Sequence, residues 1–175
     1  MPEAAAAAAA RLEAAFERIR TTRMAGLPFL NERLRVEAVG TREHAGEWLT
    51  VLVTPWCMNL VLLPGPGEWK PMPAGGERLV AFPAGRYRFI AGHDETLGEY
   101  HACSLFSPAQ EFADHETARA VAAAALEALF DAAHAGMPDA DGMREQFEAP
   151  KDGQKEPSAV SKRDFIRGRF SGEKR

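Results

Sequence analysis

The spacing of apolar residues changes along the chain, and each change marks a new kind of element. Behind an alanine run, Leu12, Phe16 and Ile19 recur at helical spacing, and with Pro2 at the start they predict an amphipathic helix over residues 3–23. After Gly26 and Pro28 the pattern shortens into β-rich runs at residues 34–39, 48–54, 58–63, 78–82, 86–91 and 99–106. Pro64-Gly65-Pro66-Gly67 and Ala74-Gly75-Gly76 read as loops between them. Pro83-Ala84-Gly85 suits a tight hairpin, with proline pre-setting φ and glycine supplying a positive one. Further on, Ala118, Val121, Ala122, Ala125, Leu126, Leu129, Phe130 and Ala133 repeat as one buried helical face. Asp114 is placed to cap that helix, and Gly136 followed by Pro138 to end it.

Helix, run of strands, helix is not the alternation of a parallel sheet. It predicts an α+β fold, a two-layer sandwich in which a mainly antiparallel sheet packs against the N- and C-terminal helices on one face. Residues 1–136 would form this domain. Residues 137–161 are rich in Asp, Glu, Gln, Pro, Gly and Lys, with Phe147 their single aromatic. They carry too little apolar surface to offset their ordering entropy and are expected to be a disordered linker. Residues 162–175 would be a basic C-terminal tail, with Lys162, Arg163, Arg167, Arg169, Lys174 and Arg175 against Asp164 and Glu173.

Composition narrows the function. The 175 residues carry a formal charge of -4, with 46% hydrophobic and 26% charged residues, which is ordinary for one buried core. A pI near 5.8 gives the body of the protein no attraction for nucleic acid. Cys57 and Cys103 are far apart and form no CxxC, which points to a reducing compartment and away from a disulfide framework or structural zinc. Residues 1–10 lack the basic start of a signal peptide, and no run reaches the ~18 apolar residues of a membrane span. A cytoplasmic protein without membrane insertion is expected.

Candidate chemistry is sparse. Among His44, His93, His101, His115 and His134 no pair has the spacing of a metal-binding helix, and the nucleotide and hydrolase signatures GxxxxGK[ST], GxGxxG and GxSxG are missing. His93-Asp94-Glu95 reads as a solvated hairpin loop. His101 and Cys103 alternate on one strand, and with Cys57 they define an alternative, a thiol- or metal-dependent enzyme, although a core role for Cys103 fits its surroundings better. No catalytic residue, cofactor or metal ligand is assigned.

Binding residues are easier to find. Pro55 cannot donate to a β-ladder, so Thr54-Pro55-Trp56-Cys57-Met58-Asn59-Leu60 must interrupt strand pairing. Trp56 and Met58 are therefore expected to be partly exposed and, with Asn59, to line a protein-binding surface, Trp and Met being suited to adaptable contacts; the alternative is that Trp56 and Met58 cap the core at the end of a hairpin. In the run 82–89, Tyr87 and Phe89 share one face while Arg86 and Arg88 share the other, where they could read carboxylates on a partner.

Three segments taken together carry a resemblance: VTPWCMNLVLLP at 53–64, FPAGRYRFIAGHDE at 82–95 and ACSLFSPAQEFADHETARA at 102–120. They are similar to the TPWFMNL, FPAGRFEFI and CSLFSPMFEFADHATA strings of the nickel-iron hydrogenase assembly chaperones of the HybE/HupJ type, departing mainly at Cys57 and Ala109. The resemblance runs over residues 12–135. It implies a secretion-chaperone-like sandwich and an accessory protein, not an enzyme. Such a protein binds a nickel-iron hydrogenase small or large subunit precursor, with other maturation proteins, and holds it until assembly is complete. A structural adaptor within the maturation complex is the remaining alternative. The paired CxxC motifs of the rubredoxin domain fused to some relatives are absent, so no iron site is implied.

Residues 161–167 match, with lysine for the first arginine, the S-R-R-x-F-L-K pattern of twin-arginine export signals. No apolar region follows, so the segment cannot direct export. Arg163 and Phe165 are instead expected to bind a partner, either an acidic surface or the protein's own signal-binding groove.

Overall fold

The computed structural model describes residues 2–134. Helix α1 (Pro2–Thr21) starts on a proline, where a missing N–H costs nothing, and carries Glu3 in its first turn, where the helix dipole favours an acid. It is followed by six strands, β1 (Glu37–His44), β2 (Glu47–Val53), β3 (Met58–Pro64), β4 (Glu77–Phe82), β5 (Gly85–Asp94) and β6 (Gly98–Phe106), and by helix α2 (His115–Leu129). The strands form one antiparallel sheet in the order β1-β2-β3-β6-β5-β4, curled into a half-barrel. The protein is α+β, an antiparallel sheet packed against its N- and C-terminal helices.

The expected placement of both helices on one face is corrected. Every residue of β2 is buried, and its alternate side chains enter two different cores. Leu49, Val51 and Val53 join Met58, Leu60, Phe89, Cys103 and the α2 face on the inner side of the curl. Trp48 and Leu52 join Val61, Leu63 and the α1 residues Leu12 and Phe16 on the outer side. A strand buried on both faces reads as a continuous apolar run, and 48–53 and 60–63 are such runs.

Several boundaries also differ from expectation. Strand β1 begins at Glu37 and runs to His44, because a register shift at Gly40 lets pairing continue beyond Val39. Gly40 has φ 69°, and a Cβ there would lie 2.5 Å from Leu126 of α2, so only glycine fits this bulge. Asp114 caps α2 as expected, accepting the Thr117 amide at 2.7 Å. The helix nevertheless ends at Leu129 rather than at Gly136. Phe130 caps it, and Ala133 is exposed in a 3-10 turn (Ala132–His134) instead of extending the buried face. The hairpin at Pro83-Ala84 forms, with Phe82 opposite Gly85.

His93-Asp94-Glu95 leads into the β5–β6 hairpin turn with His93 and Glu95 exposed, as expected of a solvated loop, but Asp94 is engaged. His93 and Asp94 end β5, and the Asp94 carboxylate accepts the amides of Thr96 and Leu97 and a two-pronged contact from Arg18 of α1 at 2.7 and 2.8 Å. Burial alone would raise this carboxyl, but these donors hold it well below the usual carboxylate range. The hairpin thereby pins α1 to the sheet.

The curl is closed by polar groups at one end. Arg78 of β4 donates from Nη2 to both Glu47 oxygens at 2.8 and 2.7 Å, and from Nε to Nδ1 of His101 at 2.9 Å. With Nδ1 accepting, His101 carries its proton on Nε2 and donates it to Glu99 at 2.7 Å. The Trp69 ring stacks on His101 at 4.3 Å, and the Met72 amide donates to Glu99, so the long β3–β4 connection is strapped across the opening. No short-range pattern in the sequence signals this cluster as a whole, since its members come from three strands and a loop.

Burial lowers the pKa of His101 and the nearby Arg78 lowers it further, against the favourable contact with Glu99. A histidine kept neutral on folding binds a proton more readily when unfolded, so its contribution is present at neutral pH and is lost as pH falls below the unfolded value of about 6.5. His101→Asn keeps an acceptor for Arg78 but cannot titrate. Its denaturant midpoint should fall less than that of the parent chain between neutral and mildly acidic pH, as equilibrium unfolding at the two pH values will show.

Candidate functional site

The turn between β2 and β3 is built around a buried threonine. The Thr54 hydroxyl accepts the amides of Trp56 and Cys57 at 3.2 and 3.0 Å, and its own amide donates to the Cys57 carbonyl at 2.9 Å. Pro55 leaves its carbonyl for the Asn31 amide at 2.7 Å. The Asn31 side chain in turn donates to the carbonyls of Ala109 and Phe112, so the turn is held by two distant loops. Trp56 emerges from this frame partly exposed, its ring parallel to Phe16 of α1 with centroids 6.4 Å apart.

Met58 does not share that exposure, and the expectation that it would is overturned. It is 0% exposed and belongs to the inner core with Leu60 and Leu105. The strand resumes at Met58, so the two-residue period sends Met58 inward and Asn59 outward. Asn59 is partly exposed, yet its Oδ1 is shut off from solvent and accepts no hydrogen bond among the described residues. A buried acceptor without a donor is uncommon, and one closed to water is closed to a partner's donor as well.

Arg86 and Arg88 alternate with the buried Tyr87 and Phe89 as expected, and so face outward. Arg88 pairs with Glu77 of β4 at 2.9 Å. Sequence reasoning missed the two apolar residues that share this face, Leu79 at 50% and Ile90 at 38% exposure. Their signal was the same alternation: Ile90 has the parity of Arg86 and Arg88, and Leu79 lies opposite Arg88. Helix α1 lies mainly over β1 and β2 on the outer face and meets β5 at its end, through Arg18 and Asp94. The structure therefore brings Trp56, Asn59, Arg86 and Arg88 onto one outer face and Met58 onto the other. Arg163 and Phe165 lie outside the described residues, as do the expected linker and basic tail.

The cysteine and histidine constellation does not assemble. Both nitrogens of His101 are engaged, by Arg78 and Glu99, which leaves no base for a thiol. Burial pushes the Cys57 thiol up to about 11, with the Thr54 hydroxyl only partly offsetting it, and Cys103 is packed in the inner core. A cleft of about 900 Å³ opens between α1 and the segment leading to β1, lined by Glu13, Glu17, Arg20, Leu34, Arg35 and Pro55. Glu17 is paired with Arg20, and Glu13 accepts the Ala38 amide, so these carboxylates are already in use.

Residues 7–168 match the protein family described as NiFe-hydrogenase assembly, chaperone, HybE. The hydrogenase expression/formation protein HupT of Azotobacter chroococcum mcd 1 is 47% identical over 118 residues, covering 66% of this chain and 78% of that protein. A HupJ protein of Rhodobacter capsulatus, described as a probable rubredoxin, is 41% identical over 122 residues, 69% of this chain. The match spans 44% of that relative's own length. The solution structure of HybE from Escherichia coli superposes with a TM-score of 0.59 at 23% identity, covering 86% of this chain and 87% of that one, which shows a shared fold.

The opposite placement of neighbouring residues has a measurable consequence. Met58→Ala should cost about 2–5 kcal/mol in urea unfolding, as for other buried methionines, whereas the partly exposed Trp56→Ala should cost about 1–2 kcal/mol and leave the far-UV circular dichroism unchanged. Equal losses for the two would place Trp56 in the core.

Proposed function

The chain belongs to the HybE family of NiFe-hydrogenase assembly chaperones, and we propose that it captures a hydrogenase subunit precursor on the outer sheet face and holds it until assembly is complete. The observation that carries this reading is the convergence on that face of two exposed apolar residues, Leu79 and Ile90, and two arginines. The arrangement suits an apolar client segment that carries carboxylates for the arginines of this face. Trp56 at the rim would add a rigid aromatic anchor, the kind of residue on which interface energy concentrates. No described helix is long and apolar enough to cross a membrane, and the proposed site of action is the cytoplasm, where the precursor would meet the other maturation proteins.

The client's identity, small or large subunit, is part of the proposal and is tested together with the surface. The tagged chain should retain one subunit precursor from cells that make hydrogenase, identified by mass spectrometry. Arg86→Glu combined with Ile90→Asp should reduce recovery at least about tenfold, the loss of roughly 1.4 kcal/mol or more expected for a charge and an apolar contact together. Undiminished recovery with the folded double variant would remove the outer face from the reading. Recovery of the chain with finished, active hydrogenase would favour a structural adaptor.

A further inference from the structure

The sheet has two edge strands, β1 and β4, and they are treated differently. An edge offers unpaired amides and carbonyls to any strand that comes beside it, and proteins blunt edges with bulges or cover. On β1 the Glu13 carboxylate of α1 takes the Ala38 amide, and the register shifts at Gly40. Among the described residues β4 has neither device. Its pairing with β5 runs without a shift from Glu77 to Phe82, it holds no proline, and Leu79 at its middle is 50% exposed. Two bonds fix the direction of its backbone groups. The Gly76 carbonyl accepts the Ala91 amide and so points to β5, whereas the Ala81 carbonyl faces away from β5, toward His44. By alternation the amides and carbonyls of Glu77 and Leu79, with the amide of Ala81, point out of the sheet, where no described residue meets them.

The side chains along this edge are complementary to themselves. On the outer face Glu77 stands in a row with Ile90, Leu79 with Arg88, and Ala81 with Arg86. A second β4 laid antiparallel about a two-fold axis at Leu79 sets Leu79 against Leu79 and Glu77 against Ala81. Each Glu77 then lies two strand spacings, about 10 Å, from Arg86 of the other copy, with only an alanine between them, a gap that the two long side chains span together. Arg88 holds Oε2 of its own Glu77, which leaves Oε1 for the other copy, and Arg86 has no ion pair among the described residues. We propose that two copies of the chain join through their β4 edges in this register and form one continuous sheet. The Leu79 amides and carbonyls pair across the axis, and each Ala81 amide donates to the Glu77 carbonyl of the other copy. The contact is well below the roughly 1,600 Å² of a standard interface, so its dissociation constant is expected on the order of 100 µM. Strand addition covers neither face of the sheet; it sets two outer faces side by side. The pairing does not rest on the client surface proposed above.

Sedimentation velocity of the full chain between about 10 µM and about 1 mM should show a shift from monomer to dimer. The Leu79 and Ala81 amides should exchange with solvent more slowly at the higher concentration, while exchange in α1 is unchanged. Leu79→Lys sets two like charges at the axis and should abolish both changes with the fold intact. Glu77→Arg and Arg86→Glu should each weaken association at least about tenfold, because each places like charges at both ends of the contact. In an equimolar mixture of these two variants every chain meets opposite charges on the other, so association should return to the parent level. A parent chain that stays monomeric at about 1 mM overturns the proposal. So does a dimer that survives Leu79→Lys, or a mixture that associates no better than either variant alone. Loss of precursor capture on Leu79→Lys, from a parent that is monomeric, would assign the edge to a strand of the client and would also overturn it.

Discussion

The structure depends on one hairpin, β2–β3, that is apolar on both of its faces. All seven residues of β2 are buried, and β3 exposes little more than Pro64. A hairpin of this kind is unstable with either side in water, at about 25 cal/mol for each Å² of apolar surface left wet. It needs cover on two sides. Helix α2 supplies one with Val121, Ala122, Ala125 and Leu126, and α1 supplies the other with Leu12, Ala15 and Phe16. The elements at the two ends of the fold are thus held to the same pair of strands from opposite directions, and the remaining strands are arranged around that pair.

The same constraint leaves part of the sheet bare. A single helix of 20 residues is about 30 Å long and covers two or three strands, so α1 lying over β1 and β2 leaves the outer side of β4 and β5 to other devices. On the inner side those strands contribute Phe82, Tyr87 and Phe89 to the core, which holds them firmly. Their outer side chains are released from packing and can serve recognition. The edge where β4 might slide is locked by Arg78, which reaches across to Glu47 of β2 and to His101 of β6. His44 adds a second fastening, its ring stacked on Phe82 at 4.6 Å and Nε2 set 3.3 Å from the Ala81 carbonyl. A face that is rigid beneath and, among the described residues, unfilled above would lose little order on binding, which is the condition for a partner to be held without a large entropic cost.

Local signals in the sequence were sufficient for most of the elements and insufficient for their arrangement. Strand and helix positions follow from period and turn chemistry, and the Asp114 cap and the Pro83-Ala84 hairpin appear where those rules put them. The two-sided burial of β2 was legible in its uninterrupted apolar run, but a reading by order of elements alone placed both helices on one face. Met58 shows the limit at the scale of one residue. Pro55 correctly marks an interruption of pairing, yet whether Met58 belongs to the turn or to the next strand depends on the Thr54 hydroxyl closing the turn at Cys57. Once it does, parity alone decides that Met58 goes in and Asn59 goes out. The Glu47–Arg78–His101–Glu99 cluster could not be read at all, because its members are brought together only when the sheet curls.

The membership of a chaperone family and the physics of the outer face answer different questions, and they meet at one requirement. A protein that assists assembly must bind well enough to hold its client and weakly enough to release it, which excludes a large, fully apolar interface. An exposed pair such as Leu79 and Ile90, ringed by charge, would lie in the middle of that range. The arginines lend orientation and speed of encounter more than depth of binding. Buried thiols and a histidine with both nitrogens occupied fit the proposed role, since a surface that met an unfinished metalloprotein would gain nothing from reactive ligands beside it. The fold places both thiols and the His101 imidazole in its interior, as core and closure, and leaves arginines, aliphatic side chains and one tryptophan on the outer face proposed for the partner.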